Sequence, residues 1–199
     1  MSRLCHDRGI RPYVFERIPT RGVTALDLGF GFGEFGIMVR ARNPDIKRFV
    51  GVDIWPPYCD NMRRMQVYHE VVCSDAVEYM ENIDWRPDFC LCTEVVEHIP
   101  RTPVDLGGHL LDLIRDKCGS SLVATPLDWV PVEAGFDGNP ASEHLSRYTL
   151  QDFTSRGYNV KMVYQEKLPP MLHTALRVGA RLLGKHVYRH IFAWREPDE

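Results

Sequence analysis

Residues 25–36 read Ala25-Leu26-Asp27-Leu28-Gly29-Phe30-Gly31-Phe32-Gly33-Glu34-Phe35-Gly36. The apolar run from Val23 to Leu28 predicts a buried strand that contains one acid, and four glycines follow it within eight residues. Glycines at this spacing allow the backbone to turn sharply and to approach a ligand closely. Apolar residues 37–39 then begin a helix. The stretch therefore predicts a strand, a glycine turn and a helix, which form the entrance to a nucleotide-type site.

The composition is that of a single globular domain spanning residues 1–199. The chain is 44% hydrophobic and 26% charged, with a net charge of -3 that gives no reason to expect nucleic acid as a partner. It has no apolar run of membrane-spanning length and no signal-peptide core at its start, so we expect a cytoplasmic protein. Its six cysteines include no Cys-x-x-Cys pair, which favours buried thiols, and we expect no metal site.

Strand-like and helix-like patterns alternate along the chain. Strands are predicted at residues 23–28, 48–54, 70–73, 88–94, 121–126, 158–164 and 187–194, and helices at 13–18, 34–42, 59–69, 77–83, 104–117, 148–156 and 168–185. The first five strands are nearly continuous apolar runs, which is typical of a parallel sheet covered on both faces. We expect the last two to pair antiparallel. Residues 127–147 form a long loop.

Polar residues follow several of these strands. They are Asp27 with Gly29, Asp53, Asp75, Thr93 with Glu94, and Thr125 with Pro126. Because ligands of such sheets bind outside the carboxyl ends of the strands, these residues define one rim.

Two kinds of nucleotide fit the glycines. Gly31, Gly33 and Gly36 satisfy the dinucleotide fingerprint, and Asp53 follows at the distance of a ribose-binding acid. However, little of the chain remains for a second, substrate-bearing region, and Asp27 would face a pyrophosphate unfavourably. Asp27 suits a cationic group, and Asp75 followed by Ala76 suits an adenine amino group. The pattern favours adenine, ribose and a positively charged tail.

The motifs resemble those of the class I, Rossmann-like methyltransferases that depend on S-adenosylmethionine (SAM). Asp27-Leu28-Gly29-Phe30-Gly31-Phe32-Gly33 resembles the glycine-rich first motif of this family. The further similar segments are Gly51-Val52-Asp53 at the ribose, Ser74-Asp75-Ala76 at the adenine, residues 88–99 with their Glu97-His98 pair, and residues 143–153. The likeness spans about residues 22–165 and is of the small-molecule type.

The resemblance implies a three-layer αβα fold with strand order 3-2-1-4-5-7-6, strand seven antiparallel, and SAM as cofactor with S-adenosylhomocysteine as product. The cofactor-binding residues that it implies are Asp27, Gly29, Phe30, Gly31, Gly33, Asp53, Ile54, Asp75, Ala76, Thr93 and Glu94. The chain departs from the family in its N-terminal segment, residues 1–21, which we expect to be loose and too short to roof the substrate pocket. The roof then comes from loop 127–147, from helix 168–185 as a lid or interface, or from a second subunit in a homodimer.

Two histidines are candidate catalytic residues. His98 follows strand four and His144 lies in the long loop, and histidine titrates near neutral pH. Each has a structural alternative: the Glu97-His98 pair is equally suited to starting the next helix, and His144 to bonding a loop carbonyl.

The sequence predicts methyl transfer from SAM to oxygen, nitrogen or carbon of a small-molecule acceptor. One alternative is a non-catalytic SAM-binding partner or regulatory subunit with the same fold. A nucleic-acid methyltransferase is the other, and the acidic net charge disfavours it.

Overall fold

The computed structural model describes residues 10–129, 131–135, 138–164 and 189–197. Its elements in chain order are α1 (Arg11–Arg17), β1 (Thr24–Leu28), α2 (Glu34–Arg42), β2 (Arg48–Asp53), α3 (Pro56–Met65), β3 (Glu70–Cys73), α4 (Ala76–Asn82), β4 (Phe89–Thr93), α5 (Leu106–Lys117), β5 (Ser120–Pro126), α6 (Leu150–Thr154), β6 (Asn159–Tyr164) and β7 (Arg189–Arg195). Two short 3₁₀ turns lie at Val96–His98 and Pro140–Ser142.

The strands form one seven-stranded sheet in the order β3-β2-β1-β4-β5-β7-β6. The first five strands run parallel, and β7 runs antiparallel to both β5 and β6. In the centre of the sheet, Leu26 of β1 pairs with Val50 of β2 and Cys90 of β4. The predicted fold class and strand order are therefore confirmed. The carboxyl ends of the five parallel strands meet at one edge, as the rim requires.

The sheet has a hydrophobic core on each face because successive strand residues point to opposite sides. One core joins strand residues to α4, α5 and α6 and includes Leu26, Leu28, Val52, Cys92, Met80, Leu110, Ile114 and Phe153. The other joins them to α1, α2 and α3 and includes Ala25, Phe49, Leu91, Phe192, Val14, Val39, Cys59 and Met62. Helices thus cover both faces, as predicted.

The described part of the N-terminal segment contains α1. Its apolar side chains Ile10, Val14 and Ile18 are buried, and the Arg17 guanidinium lies 4.0 Å from the centroid of the Trp194 ring. The predicted helix at 13–18 is confirmed with slightly earlier bounds. Residues 10–18 pack on the sheet rather than hanging loose, because three side chains of one helical face enter the core. Residues 1–9 and the predicted helix 168–185 lie outside the described residues.

Helix α3 differs from its predicted bounds of 59–69. It begins at Pro56, because proline suits the first turn of a helix, where its missing N–H leaves no hydrogen bond unmade. It ends at Met65, because Gln66 takes a left-handed conformation with φ 54°. Among the residues that the structure describes, no helix is long and apolar enough to cross a membrane.

Candidate functional site

The glycine turn connects β1 to α2 through three residues with positive φ. Gly29, Gly31 and Gly33 have φ of 67°, 52° and 77°, the left-handed region that favours glycine. The Gly29 N–H donates to the Val52 carbonyl at 2.7 Å, and the Gly33 N–H donates to the Phe30 carbonyl at 2.8 Å. The first bond continues the β1–β2 ladder, and the second closes the turn immediately before the helix.

Two of these glycines also leave no room for a side chain. A Cβ at Gly29 would overlap Val95, and a Cβ at Gly33 would overlap the sulfur of Met62. A Cβ at Gly31 would meet nothing within 4 Å. Gly31 therefore presents open backbone to the space beyond the strand ends, while its two neighbours pack the turn against the protein.

Asp53 lies at the end of β2 and faces the glycine turn. Its Oδ2 accepts the Gly31 N–H at 2.8 Å, and its Oδ1 accepts the Trp55 N–H at 2.9 Å. Only 6% of the residue is exposed. The two backbone donors fix the carboxylate at the rim beside the turn, where a ribose-binding acid is expected.

Asp27 lies below the turn and is buried. Its Oδ2 accepts the Tyr68 hydroxyl at 2.6 Å. Burial raises the pKa of the Asp27 carboxyl to about 7; the negative charge of Asp53 adds to the rise, and the Tyr68 bond opposes it. Two neighbouring carboxylates disfavour each other's ionisation, and a bound cation would relieve this repulsion.

Asp75 and Ala76 mark the start of α4. Asp75 is the N-cap, and its Oδ1 accepts the N–H groups of Val77 at 2.8 Å and Glu78 at 3.1 Å. Both cap bonds use the same oxygen. The cap holds the carboxylate at the carboxyl end of β3, on the same rim as Asp53.

A pocket opens at this rim and encloses about 730 Å³, part of it open to solvent. The predicted residues that line it are Gly29, Gly31, Asp53, Ile54, Asp75, Ala76, Glu94 and His98. The predicted residues outside its lining are Asp27, Phe30, Gly33, Thr93 and His144. Of these, Phe30 packs on Tyr68 with ring centroids 5.2 Å apart, and Thr93 is buried at the end of β4.

Other lining residues were not among the predicted site residues, although four of them lie in the motifs named above. They are Val52, Tyr58, Ser74, Val95, Ile99, Asn139, Ala141 and Ser142. Tyr58 lies in the first turn of α3, and its ring contacts that of Phe32 at a centroid distance of 4.8 Å. An aromatic residue one turn after a ribose-type acid is a signal that could have identified it. The last three come from the long loop, where no motif marked them.

Glu94 lies at the end of β4 in a strained conformation. It has φ 55°, which is uncommon for a residue with a side chain and tends to occur at functional sites. Its Oε2 lies 3.5 Å from Nε2 of the buried His190, a residue of β7. Its Oε1 is buried and accepts no hydrogen bond from the described residues. A buried carboxylate oxygen of this kind indicates a position where a ligand donates.

The two candidate catalytic histidines lie side by side. Their ring centroids are 4.8 Å apart, edge to face, and only His98 lines the pocket. Nδ1 of His98 lies 2.9 Å from the Glu143 carbonyl, so His98 bonds a carbonyl of the long loop. The Glu97-His98 pair belongs to a separate 3₁₀ turn, and α5 begins only at Leu106.

The charge of the pocket is acidic. Its lining contains Asp53, Asp75 and Glu94, and among the described lining residues there is no lysine or arginine. The first turn of α2 also carries an acid, Glu34, which pairs with Arg11. The carboxylates would repel a pyrophosphate, and no basic side chain of the described lining would offset this repulsion. They would attract a cationic ligand.

No protein-family model matches the sequence, and no curated protein matches it significantly. Solved structures match it in fold. A SAM-dependent methyltransferase from Archaeoglobus fulgidus has a TM-score of 0.61 and 19% identity, over 94% of this chain and 91% of that chain. A chain from the complex between the Haloferax volcanii Trm112 methyltransferase activator and the putative methyltransferase has a TM-score of 0.62 and 16% identity, over 98% and 91%. The cyclase SpnF has a TM-score of 0.60 and 15% identity, over 96% and 81%.

The likeness in fold agrees with the observed strand order. The chain therefore has the Rossmann-like fold of the class I SAM-dependent methyltransferases. The fold supports several reactions, and the function has to be argued from the site.

Proposed function

We propose that the protein binds SAM in the strand-end pocket and transfers its methyl group to a small-molecule acceptor. The observation that carries the proposal is an acidic pocket, free of basic side chains among its described lining residues, that the glycine turn borders. SAM combines an adenosine with a sulfonium and an ammonium group, and these charges suit such a pocket. Several solved structures with the same fold are named as SAM-dependent methyltransferases, and this supports SAM as the cofactor.

In this proposal each strand end contacts one part of SAM. Asp53 accepts the ribose hydroxyls, with Ile54 beside it, and Asp75 with Ala76 meets the adenine. Gly29, Gly31 and Gly33 let the methionine part pass close to the backbone, with Phe30 packing the turn from below. Asp27 attracts the ammonium group, directly or through water. Glu94 lines the pocket just after β4, and Thr93, the buried last residue of that strand, holds it in place.

Methyl transfer from a sulfonium is an in-line displacement. A lone pair of the acceptor attacks the methyl carbon while the bond from carbon to sulfur breaks, and S-adenosylhomocysteine leaves as a neutral thioether. Because the cofactor is already activated, the protein has to align the acceptor, exclude water and accept a proton where the acceptor carries one. Of the two candidate histidines, His98 lines the pocket, and the ring of His144 lies against the ring of His98.

The acceptor is proposed to be a small molecule because the sequence motifs resemble those of small-molecule methyltransferases and the pocket lining is acidic. The rival function is a protein that binds SAM without transferring its methyl group, alone or as the partner of an active subunit. The likeness to a chain from a complex between a methyltransferase activator and a putative methyltransferase supports only the part of this rival in which the protein works with a partner. The likeness to a cyclase shows that proteins of this fold include enzymes named for another reaction.

Transfer of a labelled methyl group tests the proposal. The protein is incubated with methyl-labelled SAM and, separately, with the small-molecule, RNA and protein fractions of a cell extract. Label in the small-molecule fraction, with formation of S-adenosylhomocysteine, is expected. His98→Ala and His144→Ala should then lower turnover more than SAM affinity.

Label that appears only in RNA or protein would overturn the acceptor class. SAM binding without label in any fraction would favour the non-catalytic rival. Unchanged turnover in either histidine variant would remove that residue from the catalytic site.

A further inference from the structure

Three metal-ligating side chains meet beside the pocket. Glu97 and His98 lie on the 3₁₀ turn after β4, and His144 lies in the long loop. One candidate ligand atom from each residue lies within 4.8 Å of those of the other two. His98 also lines the pocket, so the cluster borders the proposed methyl-transfer site.

Backbone hydrogen bonds hold the two segments together. The N–H groups of Leu145 and Ser146 both donate to the Glu97 carbonyl, at 2.8 and 2.9 Å. The Ser146 hydroxyl donates to the Ile99 carbonyl at 2.5 Å. The residues on either side of His144 are thus fixed to the turn that carries the other two ligands, although they are more than 40 positions apart in sequence.

Hydrogen bonds orient the side chains of His98 and Glu97 in the cluster. A carbonyl only accepts, so Nδ1 of His98 donates to the Glu143 carbonyl, and its Nε2 carries the lone pair. Oε2 of Glu97 accepts the Thr125 hydroxyl at 2.9 Å, and Glu97 is 2% exposed. Hydrogen bonds from imidazole to a backbone carbonyl and from a hydroxyl to the carboxylate are the bonds that orient such ligands in metal sites.

We propose that Glu97, His98 and His144 bind one divalent transition-metal ion, such as Zn²⁺, Mn²⁺ or Fe²⁺. Two imidazoles and one carboxylate are a ligand set that these ions use, whereas Mg²⁺ and Ca²⁺ prefer oxygen ligands alone. Three protein ligands leave coordination positions open for water or substrate. The expectation of no metal, drawn from the cysteine pattern, did not consider histidine and glutamate ligands.

This inference rests on the proposed function for the role of the ion. Its open positions would take a hydroxyl oxygen of the acceptor, and a bound cation lowers the pKa of such a group. The hydroxyl proton passes to solvent water, the oxygen attacks the methyl carbon of SAM, and the bond from carbon to sulfur breaks. The acceptor class is therefore a molecule with a metal-binding hydroxyl group.

The same cluster without a metal would be an ordinary polar contact between one carboxylate and two imidazole rings. The chain contains a matched example at its surface, where Nε2 of His109 lies 3.0 Å from Oε1 of Glu81. This pair has one histidine and one carboxylate and is exposed to solvent. His109→Gln therefore serves as the control for effects of removing any histidine near an acid.

Titration with Co²⁺ tests the site without any need for activity. Full-length protein is freed of metal with a chelator, and Co²⁺ is added while its visible absorption is recorded, with Zn²⁺ as competitor. We expect one Co²⁺ per chain, displaced by Zn²⁺. His144→Gln and Glu97→Gln should bind at least about tenfold more weakly, and His109→Gln should bind like the wild type.

The proposal is overturned if the folded wild type binds neither ion, or if His144→Gln binds as tightly as His109→Gln. Because Glu97 is buried, the Glu97→Gln variant is used only if its circular dichroism matches that of the wild type. If it does not match, the comparison of His144→Gln with His109→Gln decides the test. SAM titrations of the same samples separate the two proposals. SAM binding without metal binding would reject the proposed metal site and leave the proposed function standing. Metal binding without SAM binding would reject SAM as the cofactor and leave the metal site standing.

Discussion

Asp27 is an ionisable residue that is buried next to the proposed cofactor site. Its carboxyl is buried below the glycine turn, accepts the Tyr68 hydroxyl, and has a pKa that burial raises to about 7. In the unfolded chain the same group titrates near 3.8. The folded protein therefore holds a proton that the unfolded chain has lost between these two pH values.

We predict that Asp27→Asn removes this pH dependence. In the wild type, the free energy of unfolding should fall as pH rises from 3.8 to about 7, because the folded state binds more protons there, and it should level off above that range. One proton gives a slope of up to about 1.4 kcal/mol per pH unit. The asparagine oxygen can still accept the Tyr68 hydroxyl. Urea unfolding of both proteins across this range checks the prediction, and parallel pH profiles would contradict it.

We predict that alanine substitutions at two glycines of the turn have different effects, one mainly on the stability of the protein and the other mainly on SAM binding. Gly29→Ala should lose on the order of 3 kcal/mol of unfolding free energy, from a positive φ and overlap with Val95. Gly31→Ala has open space and should lose only about 1 kcal/mol, but it should weaken SAM binding at least about tenfold. Gly157→Ala, with φ 83° and open space away from the pocket, is the control.

Urea unfolding and SAM titration of the three variants provide the measurements. A Gly31 variant that binds SAM like the Gly157 variant would show that the cofactor does not approach this backbone.

At the scale of elements, local patterns were sufficient for the strands and most helices. Helix α2 was predicted at 34–42 and found at Glu34–Arg42, because a glycine turn precedes it and Asn43 with Pro44 ends it. The long loop was predicted only as a loop. Its contribution of Asn139, Ala141 and Ser142 to the pocket depends on hydrogen bonds between distant segments, which no local pattern encodes.

Arg101 connects the loop after His144 to two helices. Its guanidinium contacts Asp105 at the N-cap of α5 at 3.1 Å, Asp152 of α6 at 2.7 Å and the Arg147 carbonyl at 2.8 Å. It also lies 4.7 Å from the centroid of the Tyr148 ring. These carboxylates hold the pKa of Arg101 above its usual value, so the cation is permanent.

We predict that Arg101→Met lowers the free energy of unfolding by on the order of 2 kcal/mol, because partly buried acceptors lose a charged donor. Arg63→Met is the control: it removes an exposed pair with Asp60, which is worth about 0–1 kcal/mol. Urea unfolding at low and high salt compares them. Equal losses in both variants would mean that the Arg101 network adds nothing beyond a surface pair.

At the scale of the whole molecule, the sheet brings the site together. Asp53, Asp75 and Glu94 are far apart in sequence but lie at or just after the carboxyl ends of three parallel strands, β2, β3 and β4, so their position on one rim could be predicted from strand order alone. Tyr58, His190 and the loop residues could not, since their approach depends on how helices, loops and the antiparallel strand β7 pack. The position of Asp27 below the pocket, rather than in its lining, likewise follows from the pairing with Tyr68.

The central claim is that this rim binds SAM, and isothermal titration calorimetry with SAM tests it most directly. The account predicts one SAM per wild-type chain, with Asp53→Asn at least tenfold weaker, about 1.4 kcal/mol, because the ribose loses an acceptor. Asp60→Asn, an exposed acid of α3, should bind like the wild type. Folded wild-type protein that binds neither SAM nor S-adenosylhomocysteine, or an Asp53 variant that binds as tightly as the wild type, would contradict the account.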